Sequence, residues 1–346
     1  MDKCKYKHLL YPNDPMPKKI LSLSIAALFF FISGTHAAGG NYTPSPRNAE
    51  YIVKDEDLRL DLAFLTGPYC EGRGLGSKGS ALAKTWLIQR FRETGLLKMD
   101  GCYARGFTAP SGKTGHNVIG FLPGSPGGGY VIVGAHFDHI GILEGVLYPG
   151  ADSNASGVVA MLCIAKMVRE MNRLGRTYGK NIIFVAFDGK GMSLSGSEAF
   201  WNTIEEGRLT DPVTGRTVTK DRISMMVNID QVGGTDAPLT PGRSDFLIML
   251  SDGSGMGKSN LAACNAQYGL GLQLGFDYYG SKDFTKLFFR KVSDQKWFVE
   301  HKVPSIMFTS GITMNNNKPA DNLSSINIGI FKKRIFLMYY WLVRSI

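Results

Sequence analysis

The sequence predicts a single α/β domain with a mostly parallel central β-sheet and helices on both faces. Three observations predict it. Continuous apolar runs recur at YVIVGAHFD (130–138), NIIFVAFD (181–188), ISMMVNID (223–230) and PSIMFTSG (304–311). Runs of this length without polar alternation are what strands buried on both faces require. Segments of helical periodicity separate them, and strands that alternate with helices place those helices on both faces of a parallel sheet. The chain has 346 residues, 44% of them hydrophobic, which is enough for one large core, and no repeat or linker divides it.

The elements follow in order. Residues 38–48 (AGGNYTPSPRN) form a loose lead-in, and 49–346 form the domain. Stretches 55–66 and 78–95 have helical periodicity, the second with Ala81, Leu82, Trp86, Ile88 and Phe91 on one face. HNVIGFLPG (116–124) reads as a strand stopped by Pro123, and 130–138 as a central strand. ASGVVAMLCIAKMVREMNRL (155–174) is an amphipathic helix, with Asn154 or Ser153 as cap and basic residues near its end to suit the helix dipole. Strand 181–188 and a helix from 195 to 204 come next, then a polar excursion at 209–222 expected as a surface hairpin. Strands at 223–230 and 246–250, a helix at 258–269, a strand at 304–311 and a helix at 330–343 complete the chain.

The N-terminus reads as an export signal. Lys18 and Lys19 precede the apolar run ILSLSIAALFFFI (20–32), and small residues follow, placing cleavage after Ala37. The run is short for a membrane span, and an uncleaved anchor is the alternative. A start at Met16 would give this signal ordinary proportions. Removing 1–37 takes away five lysines and two acids, which lowers the formal charge from +10 to +7. No basic run with interleaved aromatics suggests a nucleic-acid partner. Of the four cysteines beyond the signal, Cys70 and Cys102 flank one predicted helix and are expected to pair, while Cys163 is expected as a buried thiol.

Each candidate ligand lies at the carboxyl end of a predicted strand, where open α/β sheets bind ligands. These are His136 and Asp138 in AHFDH, Asp152 in GADSNASG, and Asp230 in NIDQVGG. The order of VIVGAHFDHIG (131–141), YPGADSNASGVVAML (148–162), NIIFVAFDGKG (181–191) and MVNIDQVGG (226–234) resembles the two-metal zinc aminopeptidases of bacteria. Their superfamily also contains the glutaminyl cyclases. The resemblance runs from EGR (71–73) to the final helix.

The resemblance implies a zinc aminopeptidase-like fold and one zinc held by His136, Asp152 and Asp230. That set suits a tetrahedral ion with an open position for water. Asp138 matches the carboxylate that orients the ligating histidine, and His139 matches no ligand. A second ion in the family needs a glutamate and a late histidine. Here those positions are Gly191 and, anchoring NNKPAD (316–321) on Pro319 and Asp321, Asn317. The family's general base corresponds to Lys190, whose ammonium cannot accept a proton from water. Lys190 is expected either to fill the vacated space and pair with Asp152 or to sit in solvent. The cyclases use the half-site that is missing here, which argues against cyclase activity.

Asp188, Glu198 and Glu144 are near enough in sequence to replace the base, but each is expected as a capping or surface acid. SLSGS (193–197) is not GxSxG, and GSGMGKS (253–259) is one residue short of phosphate-loop spacing. Phe276, Tyr278 and Tyr279 are expected either to line a specificity pocket or to pack in the core. The sequence thus predicts an exported protein of the bacterial periplasm or envelope with little or no peptidase activity. Its partners would be peptides or protein N-termini, with no nucleic acid and no stable membrane span after cleavage. The alternatives are a mononuclear peptidase with a relocated base and a metal-free scaffold.

Overall fold

A computed structural model describes residues 43–251 and 257–346. The expected signal segment 1–37 and the first part of the phosphate-loop-like stretch lie outside the described residues. A tight 3-10 helix at Pro46–Ile52 leads into α1 (Asp55–Thr66), and another at Pro68–Arg73 leads into α2 (Lys78–Glu93). Strands β1 (Leu97–Lys98), β2 (Ala104–Thr108), β3 (Thr114–Leu122) and β4 (Tyr130–His136) follow, then the small hairpin β5 (Gly141–Leu143) and β6 (Val146–Tyr148). A wide turn, Ala151–Ser156, opens α3 (Gly157–Arg173). The remainder runs β7 (Asn181–Phe187), α4 (Ser195–Glu205), β8 (Ile223–Ile229), β9 (Phe246–Ser251), α5 (Lys258–Gln267) and β10 (Gln273–Gly275). Last come α6 (Lys282–Lys291), α7 (Lys296–Glu300), β11 (Ser305–Thr309) and α8 (Ile328–Ser345).

The sheet order is β1-β3-β7-β4-β8-β11-β9-β10, with β2 alongside β3. The centre, β7-β4-β8-β11, is parallel as expected. Outside it β3 runs antiparallel to β7, and β9 antiparallel to β11, so the sheet as a whole is mixed. Every residue of β4 and β7 is buried, because helices cover both faces. Val131, Val133 and Ala135 of β4 join the larger core with side chains from α1, α3 and α8. Tyr130 and Ile132 alternate to the other face, among Phe200, Trp201 and Phe298. By the same alternation His136 leaves β4 on that second face, as Asp230 leaves β8 beyond Met226 and Asn228.

Two buried arginines tie the loops at the carboxyl end of the sheet. Arg73, fully buried, donates to the carbonyls of Leu65, Phe137, Pro149 and Gly150 at 2.5–2.8 Å. Arg334 of α8 does the same for Phe246, Val232 and Gly234. A guanidinium presents five donors, so one side chain satisfies several loop carbonyls that no helix or strand could reach.

The structure corrects several expectations. The first regular element among the described residues is the 3-10 helix at Pro46–Ile52. The helix after the wide turn starts at Gly157, whose N–H is accepted by the Asn154 side chain at 3.1 Å, so Asn154 serves the end of the helix from within the turn. The excursion at 209–222 makes one antiparallel bridge, Thr210 to Thr217, around the buried Asp211. Cys70 and Cys102 do not pair: Cys70 is fully buried, and the Cys102 thiol donates to the Ala104 carbonyl at 3.3 Å. Cys163 is buried, as expected. Among the described residues no helix is long and apolar enough to cross a membrane.

Candidate functional site

β4, β7 and β8 end side by side, and His136, Asp188 and Asp230 stand at those ends. His136 Nε2 lies 3.2 Å from Asp230 Oδ1, and His136 Nδ1 lies 3.1 Å from the Asp138 carbonyl oxygen. The Asp138 carboxylate is 3.6 Å from Nδ1 and accepts the N–H groups of Lys190 (3.0 Å) and Gly191 (3.3 Å). It therefore adjoins His136, but its hydrogen bonds hold the backbone after β7.

That loop delivers Lys190 to the centre of the site. The ammonium Nζ lies 3.0 Å from His136 Nε2 and 2.6 Å from Asp230 Oδ2. Ser293 Oγ donates to the same Asp230 oxygen at 2.6 Å, and Asn228 in turn donates to Ser293 Oγ at 2.8 Å. Burial favours the neutral form of Asp230, yet Lys190 and His136 hold its carboxyl well below the usual range. For His136, burial and Lys190 push the imidazole down, but Asp230 and Asp138 outweigh them and raise it to about 9.

The expected pairing of Lys190 with Asp152 does not occur. Nor is Lys190 a solvated loop residue, since only 19% of its side chain is exposed. Asp152 turns the other way: its Oδ1 accepts the N–H groups of Gly233 (2.8 Å) and Gly234 (2.9 Å). A β-carbon at Gly234 would stand 2.7 Å from Asp152 Oδ2, so the approach depends on glycine there. Oδ2 has no hydrogen-bond partner among the described residues. Burial and the neighbouring Asp321 push the Asp152 carboxyl up to about 7. Among the described residues no three His, Cys, Asp or Glu side chains are grouped so as to hold an ion, so His136, Asp152 and Asp230 do not form the expected set.

The ends of these strands open into a cavity of about 790 Å³. His136, Asp138, His139 and Lys190 lie among its walls. Gly191 lines it too, and a β-carbon there would meet nothing within 4 Å. Asn317 lines the opposite side next to Asn316, whose Oδ1 accepts Gln231 Nε2–H at 2.9 Å. His139 packs against Gly150, and burial, then Arg73 and His136, push its imidazole down to about 3.

Asp188, Glu198 and Glu144 are absent from the cavity walls. Asp188 accepts the N–H groups of His116 and Gly189, and burial and Asp138 raise its carboxyl to about 8. Phe276, Tyr278 and Tyr279 do not line the cavity either. Tyr278 packs with Phe284 and Phe288, and its hydroxyl accepts the Ile312 N–H at 2.7 Å.

Three groups have roles that the sequence did not show. Arg73 sits in the quoted EGR motif, but a loop arginine carries no sign that it will be buried. Asp321 accepts the N–H groups of Asp152 (2.7 Å) and Ser153 (3.0 Å), a clamp across 169 residues of sequence. The polar run Ser293-Asp294-Gln295, fully buried beside Phe298, was the third, and its lack of periodicity hid it.

Solved structures share this architecture. The chain is 16% identical to the glutaminyl cyclase of Macrostomum lignano, with a TM-score of 0.67 over 90% of this chain and 95% of that one. The LapA aminopeptidase of Legionella pneumophila gives 15% identity and a TM-score of 0.65, covering 87% of this chain and 74% of that one. BSAP, a zinc aminopeptidase from Bacillus subtilis, gives 14% and 0.63, covering 84% and 95%. No curated protein sequence matches the chain. Residues 117–342, from β3 to α8, match the sequence profile of Peptidase family M28, and the chain therefore belongs to that family.

Proposed function

We propose that this protein is an exported, non-hydrolytic member of the family that binds peptide-like ligands in the cavity at the strand ends. One observation carries the reading: the Lys190 ammonium lies between His136 Nε2 and Asp230 Oδ2. Zinc use is implied by the family and by the zinc aminopeptidase neighbours. The residues described here do not fit it. A zinc between an imidazole and a carboxylate sits about 2 Å from each ligand atom, and Nζ takes that space. Asp152, the third expected ligand, gives Oδ1 to two glycine amides, and with its unpartnered Oδ2 it still joins no group of three ligands among the described residues. A general base is also lacking. Lys190 is a cation, Gly191 has no side chain, the Asp138 carboxylate is taken up by the Lys190 and Gly191 amides, and Asp188, Glu198 and Glu144 do not line the cavity.

The cavity supports binding. Pockets of a few hundred to a thousand cubic ångströms suit small ligands or short peptides, and this one lies within that range. The basic and apolar stretch 18–37 supports export to the bacterial envelope. The test is the zinc content of protein purified without chelator, with an aminopeptidase assay on the same sample. Far less than one zinc per chain and no turnover are expected. Stoichiometric zinc with turnover that His136→Ala abolishes would overturn the reading in favour of a mononuclear peptidase.

A further inference from the structure

The charge of the cavity wall names the end of the ligand that it accepts. Lys113, Lys190, Lys291 and Lys296 line it, and among the described residues Asp138 is the one carboxylate in the lining. Asp138 is 2% exposed and is taken up by the Lys190 and Gly191 amides. Lys113, Lys291 and Lys296 form no ion pair among the described residues, and at most two of the three Lys190 N–H groups are engaged. A free amino terminus would enter as a cation among these lysines, with no unengaged carboxylate among the described lining residues to receive it.

Besides Ser77, Ser153, Ser193 and the imidazoles of His136 and His139, the remaining walls are apolar, amide and glycine backbone. Ile140, Ile142, Met192, Val292 and Ile312 are each more than a third exposed and line the same cavity. Gln231, Asn316 and Asn317 form an amide flank able to donate to and accept from peptide groups. We propose that the cavity binds the C-terminal carboxylate of a peptide ending in an apolar residue, with the carboxylate at Lys190 and the outer lysines. This rests on the peptide-binding reading above and replaces the N-terminus expected from the sequence with the opposite end.

The test is isothermal titration calorimetry of the intact domain with four probes. They are an N-acetylated tetrapeptide ending in leucine with a free carboxylate, the same peptide amidated, the amidated peptide with a free amino terminus, and N-acetyl-leucine. The free-carboxylate tetrapeptide is expected to bind at least about tenfold more tightly than its amide, and to weaken as salt rises. Lys113→Gln and Lys291→Gln, both exposed positions, are expected to reduce that preference without loss of folding. Equal binding of acid and amide, or preference for the free amine, overturns the carboxylate assignment and leaves peptide binding intact. N-acetyl-leucine binding as tightly as the tetrapeptide keeps the carboxylate assignment and overturns the peptide. No binding by any probe overturns both.

Discussion

Replacing Lys190 by methionine removes the ammonium from Asp230 and His136 while keeping an unbranched side chain of similar reach. Asp230 is 2% exposed, and its Oδ2 lies 2.6 Å from Nζ. Breaking a buried ion pair by deleting one partner costs about 3–5 kcal/mol, because the other charge is left uncompensated. Ser293 and His136 still contact Asp230, which places the effect near the lower end, about 3 kcal/mol. In a domain of this size 1 kcal/mol moves Tm by roughly 2 °C, so Lys190→Met should lower it by about 6 °C at pH 7. The sign with pH follows from the depressed Asp230 carboxyl. Its contribution is present above the unfolded value near 4 and is lost as pH falls through the folded value. The gap between variant and wild type should therefore narrow on acidification. Added zinc should rescue the variant, because the ion can enter the space that Nζ leaves. At a hundred times the Kd, that is worth about 2.7 kcal/mol, nearly the whole loss. The assay is differential scanning calorimetry of chelator-treated wild type and variant, with and without zinc. An unchanged Tm in the variant, or an equal zinc shift in wild type, would refute the reasoning.

Three further outcomes are expected. Asp294 is fully buried and neither oxygen has a well-formed hydrogen bond among the described residues, so burial raises its carboxyl to about 6 despite His136 and Lys190 nearby. A raised carboxyl contributes stability below the unfolded value and loses it as pH rises through the folded one. Asp294→Asn should thus add on the order of 3 kcal/mol at pH 7.5 and almost nothing at pH 4, read by urea unfolding at both. A pH-independent effect would contradict this. Arg73→Met strands four backbone carbonyls, three in loops and one in the last turn of α1, and should cost about 4 kcal/mol or more, seen as a large drop in the urea midpoint. A near-neutral result would show that water serves those carbonyls equally well. The triple variant Lys190→Glu, Gly191→Glu, Asn317→His should acquire tight zinc binding, because Gly191 faces open space and Asn317 lines the same cavity. Zinc content after dialysis decides it, and a variant that stays zinc-free would refute the expectation and put the block at Asp152, whose Oδ1 is held by the Gly233 and Gly234 amides.

Much of the architecture was legible because burial on both faces writes itself into composition. The apolar runs of β4, β7, β8 and β11 could be nothing but central strands, and α1, α3 and α8 announced themselves by periodicity. The short pieces did not: β1 has two residues and β10 three, too few to show a period. The antiparallel margins also escaped notice, since strand direction depends on connections rather than on the strands themselves. Cys70 and Cys102 flank α2 in sequence, but proximity along the chain does not bring thiols together, and Cys70 is buried in the main core.

At the site, the sequence alone determined which residues stand at the strand ends, because strand boundaries are local properties. His136 and Asp230 follow from the two apolar runs that precede them, and the substitutions at Lys190 and Gly191 follow from counting past the third. What those residues do to one another was decided only by the tertiary structure. The Asp138 carboxylate, 52 residues away, holds the Lys190 amide and so sends its ammonium to Asp230 rather than Asp152. The glycine amides 81 and 82 residues beyond Asp152 draw its carboxylate aside. Electrostatic partners are chosen by distance in space, and an ammonium on a flexible stem pairs with whichever buried carboxylate the loops bring within reach.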